Sequence, residues 1–131
     1  MKKLFISCPM KGRTEENIKK SMEKMHQIAE IVFDQEFEAN DSWIEDDAPE
    51  SVKNQSVWYL GKSIELLSTA DYFIGVEYEQ FWEGCNIETR VAQSYGIPCT
   101  FVDARKLMPD VEEVLNEYWR NMGEARPSIS V

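Results

Sequence analysis

A glutamate in the second half of the chain, Glu88, occupies a position where an α/β domain can do chemistry. It ends the segment Gly84 to Glu88, which follows an apolar run from Tyr72 to Val76 and opens a helical pattern that continues to Tyr95. In parallel α/β folds, ligands bind outside the carboxyl ends of the strands, where each strand gives way to a loop and a helix. Glu88 is therefore predicted to point into such a crevice.

A carboxylate in this position can attack an anomeric carbon and form a covalent glycosyl-enzyme, which replaces one difficult displacement by two easier ones. Gly84 would let a substrate approach the backbone, and Cys85 and Asn86 keep the rim small. The structural alternative is a helix-favouring acid near the positive end of a helix dipole, worth about 0.3–1 kcal/mol. That alternative explains the carboxylate but not the composition of the loop.

The loop from Ser7 to Thr14 is a second candidate element, since it joins an apolar strand to a helix and carries a glycine, two cations and two hydroxyl groups. Backbone amides at a helix start bind phosphates, and Arg13 would add a bidentate contact. An ordinary turn with solvated charges explains the same composition. A cysteine phosphatase loop is disfavoured, because only four residues separate Cys8 from Arg13 and Pro9 removes one backbone amide.

Three other motifs have ordinary explanations. Gly61-Lys62-Ser63 resembles the end of a nucleotide-binding phosphate loop but lies inside a helical pattern. Asp71 precedes a strand and suits a turn at the edge opposite the crevice. His26 is the only histidine, so no metal site is expected. No cofactor is expected either.

Elements of alternating type must position these residues. Strands are predicted by apolar runs at 3–7, 33–39, 72–76 and 98–102. Helices are predicted from Thr14 to Val32, from Ser51 to Ser68, from Gly84 to Tyr95 with Gly96 as cap, and from a capping-box-like start at Asp110 and Glu113.

Alternating strands and helices imply right-handed crossovers and a parallel sheet that is covered on both faces. The predicted fold is a three-layer α/β/α sandwich of the Rossmann-like or flavodoxin-like type, with four to five strands in the order 2-1-3-4. The loops at 7–13 and 77–84 would then flank one cleft. With 131 residues, we expect a single domain at 1–122 and a loosely ordered tail at 123–131.

Composition narrows the classes of partner. The formal net charge of −10 disfavours nucleic acid polymers, and the acidic stretch from Asp34 to Glu50 is interpreted as a solvated loop. No apolar run approaches the roughly 20 residues that cross a bilayer, and no signal peptide is evident, so a soluble cytoplasmic protein is expected. The three cysteines predict reduced thiols rather than a disulfide.

Four short segments together resemble a known family: Phe5 to Gly12, Ala70-Asp71, Glu83 to Glu88, and Ala92 to Pro98. They resemble the nucleoside 2-deoxyribosyltransferase-like superfamily, especially its small bacterial and phage branch. The resemblance leaves out the C-terminal helix and tail. It implies a parallel α/β fold, a homodimer or higher homo-oligomer, and cleavage or exchange of the N-glycosidic bond of deoxynucleosides or deoxynucleotides.

Residue by residue, Glu88 matches the family's nucleophilic glutamate, and Gly84 matches the glycine four positions earlier. The first loop matches the segment that contacts the sugar and, in the nucleotide hydrolases, the 5′-phosphate. On this basis the predicted substrate contacts are Ser7, Cys8, Pro9, Met10, Gly12, Arg13, Trp82 and Gly84. The cations Lys11 and Arg13 favour a phosphorylated substrate.

One position departs from the family pattern. Six residues before the nucleophile the transferases keep an aspartate and the nucleotide hydrolases a serine, whereas this chain has Trp82. The usual polar partner of the sugar or base is missing, Glu83 is a nearby candidate to replace it, and the sequence assigns no residue to protonate the leaving base. Trp82 is expected to pack in the cleft loop.

Three functions stay open at this point. The first is an N-glycosidase or transferase acting through Glu88. The second is a nucleotide-binding module that keeps the cleft without catalysis. The third is a structural or partner-binding domain, in which Glu88 would be buried in an ion pair. The three differ in whether Glu88 and the loop at 7–13 border one cavity.

Overall fold

A parallel β-sheet forms the centre of the molecule. The computed structural model describes residues 1–41, 44, 46–77 and 82–121. Within them the strands are β1 (Lys2–Ile6), β2 (Phe37–Asp41), β3 (Tyr72–Val76) and β4 (Cys99–Val102). They pair in the order β2-β1-β3-β4, and every pairing is parallel. The predicted fold class and strand order are confirmed.

Helices cover both faces of this sheet. In the described ranges they are α1 (Glu15–Phe33), α2 (Gln55–Leu67), α3 (Glu83–Ser94), α4 (Ala104–Leu107) and α5 (Pro109–Asn121). No helix in those ranges has the length and apolar composition needed to span a membrane.

Side chains alternate between the two faces of the strands and form two cores. Leu4 and Ile6 of β1 face a core shared with α1, α4 and α5, whereas Phe5 faces a smaller core shared with α2 and α3. Phe5 stacks on Phe73 of β3, with ring centroids 5.9 Å apart. This alternation is the expected consequence of the twofold periodicity of a strand, and it produces the three layers.

Helix α1 confirms its predicted cap and corrects two details of the prediction. The Thr14 side chain caps it by accepting the Asn17 N–H at 3.2 Å, as predicted. Two details of the prediction were wrong: Val32 is 53% exposed, and Phe33 belongs to the helix rather than to the second strand. The Phe33 and Tyr72 rings pack together with their centroids 4.7 Å apart, and this contact holds the end of the helix on the sheet.

Helices α2 and α3 begin and end at signals that the sequence carries. Asn54 caps α2 by accepting the Val57 N–H at 3.0 Å, so the helix begins later than the predicted Ser51. Gly96 follows α3 in the left-handed conformation (φ 76°), and the Ile97 N–H bonds the Ala92 carbonyl at 3.0 Å. The Gly96 N–H also bonds the Gln93 carbonyl at 3.4 Å, and the two bonds together make a Schellman ending, as expected for a glycine at this position.

The C-terminal part differs most from prediction. Helix α4 was not anticipated, and α5 begins at Pro109 rather than at a capping box of Asp110 and Glu113. Proline suits the first position of a helix because its missing N–H would have no partner there. The predicted tail at 123–131 and residues 78–81 of the predicted second cleft loop lie outside the described residues.

Candidate active site

A cleft of about 590 Å³ opens at the carboxyl ends of β1 and β3. The loop after β1 borders it with Cys8, Met10 and Lys11, and α2 contributes one wall. The opposite wall is Trp82 and the first two turns of α3, including Gly84 and Glu88. The position agrees with the general rule that open parallel sheets bind ligands beyond the carboxyl ends of their strands.

Glu88 lies on the wall of this cleft and is only 5% exposed. The Ser7 hydroxyl donates a hydrogen bond to Glu88 Oε1 at 2.7 Å. The Ser63 side chain, on the buried face of α2, is a second hydrogen-bonding neighbour of the same carboxyl group and lowers its pKa. Side chains from the loop after β1, from α2 and from α3 therefore meet at one carboxylate.

The sheet itself fixes the position of Ser7. Its backbone N–H donates to the carbonyl of Ile74 at 2.9 Å, which extends the pairing of β1 with β3 by one residue. Ser7 is completely buried, so its hydroxyl has no water to exchange with. Helix α3 carries Glu88, and the backbone bond between Ser7 and β3 places the Ser7 hydroxyl beside it.

Burial raises the pKa of Glu88 to about 7, while the hydrogen bonds from Ser7 and Ser63 act in the opposite direction. Loss of hydration disfavours the charged form of a carboxyl group, and donors that point at the carboxylate favour it. Near neutral pH both protonation states are therefore populated. Within residues 1–41, 44, 46–77 and 82–121 no ion pair reaches Glu88, contrary to what a purely structural role predicted.

Glu88 and the loop at 7–13 border the same cleft, which is the arrangement that distinguishes the three functions considered from the sequence. Among the predicted contacts in that loop, Cys8 and Met10 line the cleft, and Ser7 reaches it through Glu88. Burial raises the pKa of Cys8 to about 11, so its thiol stays protonated at neutral pH. A protonated thiol is a poor nucleophile, which further disfavours phosphatase chemistry.

Arg13 does not line the cleft, and its predicted contact with a substrate phosphate is replaced by a contact within the protein. Its side chain is fully buried, and Nε and Nη2 bond the two carboxylate oxygens of Asp110 at 2.7 and 2.9 Å. These bonds hold the pKa of Asp110 below its ordinary value. The fork of donors that would bind a phosphate is already occupied by a carboxylate.

Pro9 and Gly12 also lie outside the lining of the cleft. Pro9 is fully buried, and Gly12 adopts a positive φ of 80° against helix α5. A Cβ atom on Gly12 would come within 2.9 Å of Val114 Cγ1. The glycine is therefore explained by the turn and by the close approach of α5, rather than by a ligand.

Gly84 differs from Gly12 in this respect. It lies in the first turn of α3 and lines the cleft, and a Cβ there would meet no atom within 4 Å. Trp82, directly before α3, is 6% exposed and lines the same wall. The protein's own packing does not require a glycine at position 84, so its missing side chain leaves open space in the cleft.

Ser63 is the functional candidate that the sequence did not reveal. Its position was considered only as part of a coincidental phosphate-loop motif. The available signal was its spacing: Ser63 falls three residues after Leu60 and four before Leu67, so the three side chains share one face of the helix. A small hydroxyl residue on a buried helical stripe needs a hydrogen-bond partner. That partner is Glu88.

The remaining candidates have structural roles. Asp71 Oδ2 accepts the Lys3 N–H at 2.9 Å, at the edge of the sheet opposite the cleft. In the part of the chain that the structure describes, no three histidine, cysteine or acidic side chains are grouped in a way that could hold a metal ion.

Comparisons of the chain with protein-family models, with curated protein sequences and with solved structures give no significant match.

Proposed function

We propose that the protein is an N-glycosidase or transferase of the nucleoside 2-deoxyribosyltransferase type. It would cleave the bond between base and sugar in a deoxynucleoside or deoxynucleoside 5′-monophosphate. The observation that carries the proposal is the position of Glu88: a buried carboxyl on the wall of a cleft whose other border is the loop after β1. The volume of about 590 Å³ falls in the range of small-molecule sites.

In this mechanism the ionised carboxylate of Glu88 attacks the anomeric carbon of the sugar. The carbon–nitrogen bond breaks, the base leaves with its electron pair and takes up a proton, and a deoxyribosyl ester of Glu88 remains. Attack by a second base on the same carbon completes a transfer, whereas attack by water completes a hydrolysis. Either step releases the Glu88 carboxylate.

Ser7 and Ser63 have a defined part in this reaction. Their hydrogen bonds favour the ionised form of Glu88, which burial alone would suppress. They also fix the direction of the carboxylate, since Ser7 is held by the sheet and Ser63 by α2. For the proton that the departing base requires, Glu83 is the carboxyl group at the rim of the same cleft.

The proposal is tested by incubating the protein with a panel of deoxynucleosides and deoxynucleoside monophosphates and measuring free base by chromatography. A second free base in the mixture detects transfer. We expect base release by the natural protein and its loss in Glu88→Gln, which keeps the size of the side chain. Absence of release across the panel, or equal release by both proteins, would refute the proposal.

A second candidate function is a nucleotide-binding module without turnover. It is favoured by Trp82, which stands where the resembling family keeps a polar partner for the substrate. Nucleosides or nucleotides would then raise the melting temperature, and no base would appear.

The resemblance also implies a homodimer or higher oligomer, and light scattering after size-exclusion chromatography would measure the oligomeric state.

A further inference from the structure

The first loop is fastened to the last helix by a buried contact between Arg13 and Asp110. The two side chains form a bidentate pair at 2.7 and 2.9 Å, although 97 positions separate them in the chain. The Arg13 side chain is fully buried and the Asp110 side chain is 24% exposed. An ordinary solvated turn would leave its arginine in water, so this geometry requires a different explanation.

The same guanidinium group organises the loop itself. Arg13 Nη1 donates to the carbonyl of Pro9 at 2.9 Å and lies 3.7 Å from the sulfur of Cys8. Nη2 donates to the Ser21 hydroxyl at 2.7 Å on α1. One buried side chain thus connects the loop, α1 and α5, and it contacts Cys8, which lines the cleft, and Pro9, which follows it.

Two neighbouring contacts tie the loop to the same helix. Gly12 packs so closely under Val114 of α5 that a Cβ would not fit. The Lys11 ammonium lies 5.5 Å from the centre of the Tyr118 ring, also on α5. Three consecutive residues of the loop therefore contact α5, which lies outside the segment that resembles the transferase family.

We propose that Arg13 and Asp110 are positioning residues that hold the loop bordering the cleft, so that α5 determines the shape of the binding site. This rests on the proposed function only in taking the cleft as the working site. Neither residue touches the substrate in this proposal. Their effect is transmitted through Cys8 and Met10, which line the cleft.

The test is selective labelling of thiols with N-ethylmaleimide, measured peptide by peptide by mass spectrometry. The buried Cys8 reports on the loop, and the partly buried Cys99 of β4, which packs against the other core, is the internal reference. Buried thiols react through local opening, so the labelling rate follows the population of open loop. Losing a charge-assisted bidentate contact should raise labelling of Cys8 roughly tenfold or more relative to Cys99.

The variants separate geometry from charge. Asp110→Asn removes the charge, and Arg13→Lys keeps it but loses the fork, so both should accelerate labelling of Cys8 selectively. Asp110→Glu keeps a bidentate acceptor and should remain near the natural rate. Leu67→Ala is the control for general loosening: it lies in the core near Cys99 and should not favour Cys8. Parallel increases at both thiols in Asp110→Asn, or no increase, would overturn the proposal.

A second measurement tests whether the contact between Arg13 and Asp110 affects substrate binding in the cleft. If base release occurs, Asp110→Asn should raise KM more than it lowers kcat, because the loop binds substrate while Glu88 is untouched. Equal loss of both would refute the positioning role. If no protein releases base, the proposed reaction fails, while the labelling experiment still decides whether the contact holds the loop.

Discussion

The ionisation of Glu88 should make the folded protein less stable as the pH rises. Burial raises its pKa to about 7 from the value of 4.5 of an ordinary glutamate. The folded protein therefore binds this proton more tightly than the unfolded chain does. The stabilisation is fully present below pH 4.5 and is lost as the pH rises to about 7, because the unfolded chain ionises first.

The magnitude follows from the two pKa values. Each pKa unit corresponds to about 1.4 kcal/mol, so the difference between 4.5 and about 7 amounts to about 3 kcal/mol. Glu88→Gln has nearly the same shape, retains an oxygen that can accept from Ser7, and does not titrate. Relative to the natural protein, this variant should gain about 3 kcal/mol of unfolding free energy across that pH range.

The measurement is urea unfolding, followed by circular dichroism, at a series of pH values from about 4 to about 8.5. The difference between the two proteins is the informative quantity, because the other titrating groups contribute equally to both. Glu83→Gln is the matched control, since it removes an exposed carboxyl from the same helix and should leave the pH dependence caused by Glu88. If the unfolding free energies of the natural protein and Glu88→Gln changed in parallel with pH, the raised pKa of the buried Glu88 would be refuted.

Three further outcomes are expected. The kcat/KM for base release should rise with pH up to about 7 and then level off, since the nucleophile must be ionised; a pH–rate profile that falls over this range would contradict that role. Ser7→Ala and Ser63→Ala should each move the rise in kcat/KM to higher pH by roughly one unit, because each removes a hydrogen bond that favours the ionised form of Glu88. An unchanged pH–rate profile would show that these hydroxyls do not assist the ionisation of Glu88. Gly84→Ala should fold normally, since the added methyl meets nothing within 4 Å, but should weaken nucleoside binding measured by calorimetry. Gly61→Ala, equally open but outside the cleft lining, is its control, and equal binding by both variants would show that the space at Gly84 is not used.

Local patterns accounted for most of the fold. The third strand matched its apolar run, Thr14 capped its helix, and Gly96 ended another in the left-handed conformation. Such signals depend on a few neighbouring residues and on the handedness of the chain, so they can be read without knowing the packing. Apart from helix α4, which was not predicted, the errors fell at element ends, as at Phe33, where the helix continues into an aromatic contact with Tyr72.

Contacts between distant residues could not be predicted in this way. In the sequence, Arg13 is a cation in a loop between a strand and a helix, which is also what an anion site requires. Only the packing of α5 shows that Asp110 supplies the anion. The same holds for Ser63, whose partner Glu88 lies on a different helix.

The sequence by itself determined that a carboxylate would stand at the carboxyl edge of a parallel sheet, facing the loop after the first strand. Strand and helix periodicities and right-handed crossovers are sufficient for that. The tertiary structure decided the chemistry of the carboxylate. Burial raises the pKa of Glu88, and the hydroxyls of Ser7 and Ser63 lower it. Both effects exist only because β1, α2 and α3 pack together. The electrostatic environment of a side chain is set by its neighbours in space, and most of these are remote in the chain.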